Sequence, residues 1–218
     1  MENHGTVRPM TSGQFKDLAS AVVQAIPSSL PSEDAQWWIG HKAELARNLE
    51  FLRNPASGQF PIFKTITLGV YQSVSAYREA LEKAGFRIGA WASDVLNGIQ
   101  VSQSQVQLDL VVLSVAELRF SKAVRYDAIC AKAKDFGFEL CPPEMGLALR
   151  LAYPDQPYGE WLRIAMNPIV YPVYPGSVPQ LFVVGHGNDG RILLKDFGNT
   201  GTLWPLGCRF VFVRPHKQ

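Results

Sequence analysis

Gly190-Arg191-Ile192-Leu193-Leu194-Lys195-Asp196-Phe197-Gly198-Asn199-Thr200-Gly201-Thr202-Leu203-Trp204-Pro205-Leu206-Gly207-Cys208-Arg209-Phe210-Val211-Phe212-Val213-Arg214 is the stretch that decides how the chain is read. It contains two short strand-like runs, Arg191 to Leu194 and Arg209 to Val213, and between them isolated large apolar residues stand among glycine, proline, asparagine and threonine. Runs of that length, rich in β-branched and aromatic residues and bounded by turn formers, predict strands. Trp161 to Met166 and Gln180 to Val184 have the same character, so a small antiparallel meander of four strands is expected.

Upstream of that meander, Val106 to Val115 reads as a buried strand, because its apolar run is short and β-branched. Tyr126, Ile129, Cys130, Ala133 and Phe136 then share one helical face, and Gly137 follows as a stop. Cys141-Pro142-Pro143 breaks the chain, and Pro143 suits the first turn of a short helix through Glu144 to Arg150. From residue 106 the order is strand, helix, short helix and four strands. That order predicts an α+β fold whose two helices are segregated from a small, mostly antiparallel sheet.

The first hundred residues are more helical. Phe15, Leu18, Val22 and Ile26 are spaced for an amphipathic helix that Pro27 ends. Ser32 is expected to cap a longer helix, with Glu33 and Asp34 at the positive end of its dipole and Trp37, Trp38, Leu45, Leu49 and Leu52 on its apolar face. Asn54-Pro55 and Ser57-Gly58 mark a break. The expected organisation is therefore an α-helical N-terminal segment, residues 1–55, and an α+β domain, residues 56–218. Within the latter, Ile62 to Val70 fits a strand, and Ser73 caps a helix bearing Val74, Tyr77, Leu81 and Ala84 that ends at Gly85. Phe86 to Leu96 is expected to add one or two helical turns around Trp91, before a turn at Asn97-Gly98.

Composition excludes several classes. The 21 Lys and Arg against 19 Asp and Glu leave a formal charge of +2 in 218 residues, so no strong field recruits nucleic acid or an anionic membrane. No apolar run approaches the roughly 20 residues that a membrane-spanning helix needs. The start at Met1-Glu2-Asn3-His4 has none of the features of a signal peptide, so an initially cytoplasmic product is expected. Cys130, Cys141 and Cys208 are odd in number and form no CxxC pair, which predicts reduced thiols and neither a disulfide framework nor a zinc site.

Candidate chemistry is sparse. His4, His41, His186 and His216 are scattered without metal-ligand spacing, and no cofactor motif survives inspection. Gly185-x-Gly187-x-x-Gly190 formally matches a dinucleotide fingerprint, but that motif must open a helix, and Arg191 to Leu194 reads as a strand. His186 as a base, or Cys141 as a nucleophile, would define a hydrolase or transferase if a carboxylate were positioned beside it. Asp189 and Asp196 are nearest to His186 in sequence. A polar hairpin loop and structural thiols account for the same residues. Glu139, Glu144, Asp155 and Glu160 have no spacing that selects paired-carboxylate chemistry. Tyr153, Tyr158, Trp161, Tyr171 and Tyr174, interleaved with prolines, could stack on bases or sugars, or form a rigid connector. A nucleic-acid-binding accessory role is the weakest alternative.

The tail combines a regular frame with irregular filling: Ile192-Leu193, Gly198, Trp204 and Arg209-Phe210-Val211-Phe212-Val213-Arg214 enclose assorted polar and apolar residues. This pattern resembles the C-terminal variable region of the target proteins of diversity-generating retroelements, found in phages and small-genome bacteria. Ala84-Gly85-Phe86-Arg87-Ile88-Gly89, Leu140-Cys141-Pro142 and Gln156-Pro157-Tyr158-Gly159-Glu160-Trp161-Leu162 extend the resemblance more loosely over residues 62–214. The resemblance implies a C-type-lectin-like fold and a non-enzymatic binding protein whose displayed side chains are diversified while the scaffold stays fixed. It implies a variable region of about 185–209. The ligand contacts would be His186, Asn188, Arg191, Lys195, Asp196, Phe197, Asn199, Thr202, Leu203, Leu206 and Cys208, with Trp204 as scaffold. The tail departs from unmutated family members in holding only Asn199 and Asp196 as Asn or Asp between residues 191 and 209. A protein surface is the expected ligand, since no carboxylate cluster for calcium is visible. The helices of residues 14–53 are expected to serve assembly or attachment, including self-association.

Overall fold

Local chemistry explains where most elements begin and end in the structure, a computed structural model that describes residues 10–26, 28–48, 60–170, 178–199 and 201–215. The chain divides into two units, Met1–Arg53 and Asn54–Gln218. In the first, α1 (Ser12–Ala25) starts with a full capping box: the Thr11 hydroxyl accepts from the Gln14 N–H, and the Gln14 side chain accepts from the Thr11 N–H. The expected second helix is instead two, α2 (Ser32–Gly40) and α3 (Lys42–Asn48), separated at His41. His41 leaves helical geometry (φ −112°, ψ 55°), its ring stacks on Trp37 with centroids 4.2 Å apart, and its Nδ1 lies 2.7 Å from the Trp37 carbonyl. Ser32 is the first helical residue and not the cap, since Pro31 precedes it with no side-chain hydrogen bond. The expected positions Pro27, Leu49, Leu52, Asn54-Pro55 and Ser57-Gly58 lie outside the described residues.

The second unit is mixed α+β. Its elements are β1 (Lys64–Leu68), α4 (Val74–Lys83), β2 (Arg87–Ile88), α5 (Ala90–Leu96), β3 (Val106–Ser114), β4 (Val124–Arg125), α6 (Tyr126–Asp135) and α7 (Met145–Ala152). There follow β5 (Trp161–Ile164), β6 (Gln180–Gly187), β7 (Gly190–Phe197), β8 (Leu203–Trp204) and β9 (Arg209–Arg214). Ser73 caps α4 by accepting from the Ala76 N–H at 3.1 Å, and Gly85 and Gly137 take left-handed φ values of 75° and 79° after α4 and α6.

Two expectations need correction. Arg87-Ile88 is a strand and not a helical turn, pairing in parallel with Ile192-Leu193 of β7. The last strands are also not a plain meander. Seven strands run in the order β1-β3-β9-β5-β6-β7-β2, so β9 inserts between β3 and β5, antiparallel to the first and parallel to the second. Periodicity marks a strand but not its neighbour, and a strand that returns to the sheet interior carries no local signal of where it pairs. A separate two-stranded ribbon joins β4 to β8.

Strand alternation assigns the two faces of this sheet. Phe182 of β6 lies against Gly146 of α7, where an added Cβ would come within 2.9 Å of the Phe182 Cβ. Gly185, of opposite parity, lies under the Trp161 ring, where a Cβ would be 2.1 Å from the ring atom Cε3. Gly187 is under the same ring, at 2.9 Å from Cζ2, and Gly190 has φ 80° after the Asn188-Asp189 turn. The three glycines that mimic a dinucleotide motif therefore each have a local structural reason. On the Trp161 side, Trp204 meets Phe210 edge to face at 5.3 Å, and Tyr126 of α6 packs tilted on Phe210 at 5.9 Å. The Tyr126 hydroxyl also donates to the Met166 carbonyl and accepts the Met166 N–H, at 2.7 and 2.8 Å. The core thus fills both faces, and β9 is its centre: Phe210, Val211 and Phe212 are fully buried.

Candidate functional site

The proposed contact residues divide between the two ends of the β6–β7 hairpin, separated by about 20 Å of strand at roughly 3.3 Å per residue. At the turn end, the His186 Nδ1 lies 2.7 Å from the Gln156 carbonyl, and its ring meets Tyr158 edge-on at 5.5 Å. Tyr158 in turn donates its hydroxyl to the exposed Asn188. Asp189 pairs with Arg87 at 3.1 Å. Arg191 sits opposite His186 in the ladder.

At the other end, Lys195 lies between two exposed rings, its Nζ 5.8 Å from the Trp91 centroid and 4.3 Å from that of Phe197. Trp91 is 63% exposed and Phe197 44%. Asp196 points the other way, paired with Arg163 at 3.2 Å, and the Arg163 guanidinium lies 4.8 Å over Trp204. Past the strand, Asn199 accepts from both the Thr202 N–H and hydroxyl, at 3.0 and 2.6 Å, closing the turn. Leu203 is 59% exposed beside Arg125 in the ribbon, whereas Leu206 and Cys208 pack partly buried against the core. Trp204 is 3% exposed. Thr200, Tyr171, Tyr174, His4 and His216 lie outside the described residues.

Cys141 is buried, donates its thiol to the Val211 carbonyl at 3.4 Å, and is pushed well above the usual thiol range by burial. A thiol so placed is poorly disposed to ionise. Among the described residues no group of three or more His, Cys, Asp or Glu is arranged to hold a metal, and no helix is long and apolar enough to cross a membrane.

Three buried polar residues, Glu144, Arg150 and Gln156, organise hydrogen-bond networks within the second unit. Glu144, 1% exposed, accepts from the Gly69 N–H (3.0 Å), the Tyr77 hydroxyl (2.7 Å) and the Ser102 N–H (2.7 Å). Burial by itself raises this carboxyl, but the Gly69 and Ser102 amides and the Tyr77 hydroxyl outweigh it and hold it below its ordinary value. Arg150, fully buried, donates to Gln156 Oε1 (2.5 Å), the Gly185 carbonyl (3.2 Å) and the Tyr153 carbonyl. Its guanidinium lies 4.8 Å from the Phe86 centroid. Burial, then the neighbouring Arg191, pulls it down to about 10, so it remains a cation at neutral pH. Gln156 continues the network to the Val184 and Glu160 carbonyls, at 3.1 and 3.3 Å.

Large apolar residues among turn formers mark Phe197, Leu203 and Leu206 as possible anchors; Leu206 instead packs partly buried against the core, and Trp91 is missed, since it reaches Lys195 only because α5 folds back on β7. Arg150 is missed as well, since a basic residue on a short helix ordinarily faces solvent. The paired Gly185 and Gly187 do carry a signal, because glycine within a strand marks a close approach, here by Trp161. Comparison of the chain with protein-family models, with curated proteins and with solved structures finds no match.

Proposed function

We propose that the second unit is a non-enzymatic binding module with a C-type-lectin-like scaffold, whose C-terminal segment displays diversified side chains to a protein ligand. The observation that carries this reading is the pair of exposed rings, Trp91 and Phe197, with the Lys195 ammonium between them and the sheet core behind. Large rings with a polar rim are the kind of anchor from which protein-binding hot spots are built. Leu203 adds a further exposed apolar anchor.

A display surface must tolerate change where its frame does not. In a scan read by protease resistance, substitutions at Lys195, Phe197 and Leu203 are expected to shift stability by under about 0.5 kcal/mol. Substitutions at Gly198, whose added Cβ would meet Pro168 and Leu181 at 2.9 and 3.0 Å, and at Phe210 or Phe212 should cost about 2–5 kcal/mol. Equal intolerance at both sets would refute the division into frame and display. The genetic test is the DNA near the gene: a second copy of codons 185–214, differing at adenines, accompanies a diversified tail.

In the same reading the first unit serves self-association. No residue of its helices whose burial is described is buried, and Phe15 and Trp37 are 63% and 47% exposed. Sedimentation equilibrium of the full chain is expected to show an oligomer that Phe15→Ser with Trp37→Ser converts to monomer. A monomeric wild type removes this role.

A further inference from the structure

Among the described residues the same backbone motif occurs three times, and only once without glycine. After α4 the Phe86 N–H reaches the Leu81 carbonyl and the Gly85 N–H the Glu82 carbonyl; after α6 Phe138 reaches Ala133 and Gly137 reaches Lys134. The turn after β3 repeats this closure, with the Phe120 N–H to the Val115 carbonyl and the Arg119 N–H to the Ala116 carbonyl, at 3.4 and 2.8 Å. The central residue has φ of 75° and 79° at the two glycines and 66° at Arg119. Arg119 is the only non-glycine residue with positive φ among the described residues. A side chain with a Cβ is strained there, and strained positions cluster at functional sites.

The arginine lines a groove of about 540 Å³ together with Phe60, Phe63, Val112, Glu117 and Arg209. That volume lies within the range of small-molecule sites, about 300–1,000 Å³. The other charges in the groove are engaged. The Glu117 Oε2 accepts both the N–H and the hydroxyl of Ser114 at 2.7 Å, and Arg209 pairs with Glu160 at 2.7 Å. Arg119 lies 5.5 Å over the Phe136 ring and has no carboxylate partner among the described residues. Phe60, Pro61, Phe63 and Val112 line the rest of the groove, so the site combines an apolar body with one cation that no carboxylate of the described residues neutralises.

We infer that this groove binds a small molecule whose apolar body ends in a carboxylate, and that the strain at Arg119 is retained to place its guanidinium on that carboxylate. The inference does not depend on the display reading, since it uses none of the displayed residues. Phenylhexanoate is the probe, titrated into the full chain and followed by amide chemical shifts, with phenylhexanol as the uncharged control. Shifts are expected to concentrate at Val112, residues 114–120 and Arg209, with the alcohol at least tenfold weaker. Arg119→Gly should weaken binding at least tenfold while raising the melting temperature by about 2–4 °C, because it removes strain worth a modest gain in a unit of this size. Arg119→Asn, which tolerates a left-handed backbone without the charge, should lose binding equally. Equal affinity for acid and alcohol, undiminished binding in both variants, or no response in the groove at millimolar probe would overturn the inference. A lower melting temperature for Arg119→Gly would overturn its strain component.

Discussion

Glu144→Ala is expected to lower the stability of the second unit by about 3–5 kcal/mol, because two buried donors and one partly buried donor that the carboxylate satisfies would lose their partner. Those donors come from separated stretches: Gly69 after β1, Tyr77 on α4, and Ser102 before β3. Gly69 cannot readily move to find another acceptor, since its φ is 71° and an added Cβ would lie 2.2 Å from the Ser104 carbonyl oxygen. Urea denaturation measures the loss. Acidity supplies an internal control. The folded carboxyl is held below its unfolded value near 4.3, so its contribution is fully present above that value and disappears as pH falls through the folded value. Glu144→Gln keeps the shape without the charge. It should cost less than Ala and flatten that part of the acid dependence, and a variant as acid-sensitive as the wild type would refute the assignment.

Arg150→Ala is expected to cost a similar 3–5 kcal/mol, for a different reason. The guanidinium has no carboxylate partner among the described residues and is held by carbonyl oxygens, so its removal strands the Gly185 and Tyr153 carbonyls and the Gln156 amide oxygen. Arg150→Lys should recover little, because an ammonium cannot span acceptors arranged for a planar fork. Arg150→Met should fall between, since it restores volume and removes a costly buried charge. The readout that a simple packing defect would not produce is local. Amide exchange should accelerate across residues 153–160 and at the β6–β7 turn, where Gln156 holds His186, before the rest of the sheet responds. Uniform protection in Arg150→Ala would show that the arginine is not the tether.

How much of this was legible in the sequence follows from the range of the forces involved. Ser73, Gly85 and Gly137 act within four residues, so the ends of α4 and α6 could be read directly. The apolar runs of β3, β6, β7 and β9 are intrinsic to their segments, and each appears as a strand where expected. The break at His41 follows Gly40, the last residue of α2, and the His41 ring there stacks on Trp37, whereas the apolar spacing continues across it. Arg87-Ile88 is a strand only because β7 offers it an edge. The candidate sites follow the same rule. Phe197, Leu203 and Leu206 stand out because turn formers surround them, though Leu206 turns toward the core, whereas Trp91 becomes an anchor only through tertiary contact with Lys195.

The insertion of β9 between β3 and β5 also sets an order in time. Until Arg209–Arg214 has been synthesised, β3 and β5 each present an unpaired edge, and the apolar faces meant for Phe210 and Phe212 stay wet. Any substitution in residues 199–208 is therefore carried by a nascent chain that cannot yet close. A loop that slows the docking of β9 lengthens the interval in which unfinished chains can pair with one another. On the proposed display reading, selection on that loop would then be selection on yield as well as on what the finished surface touches.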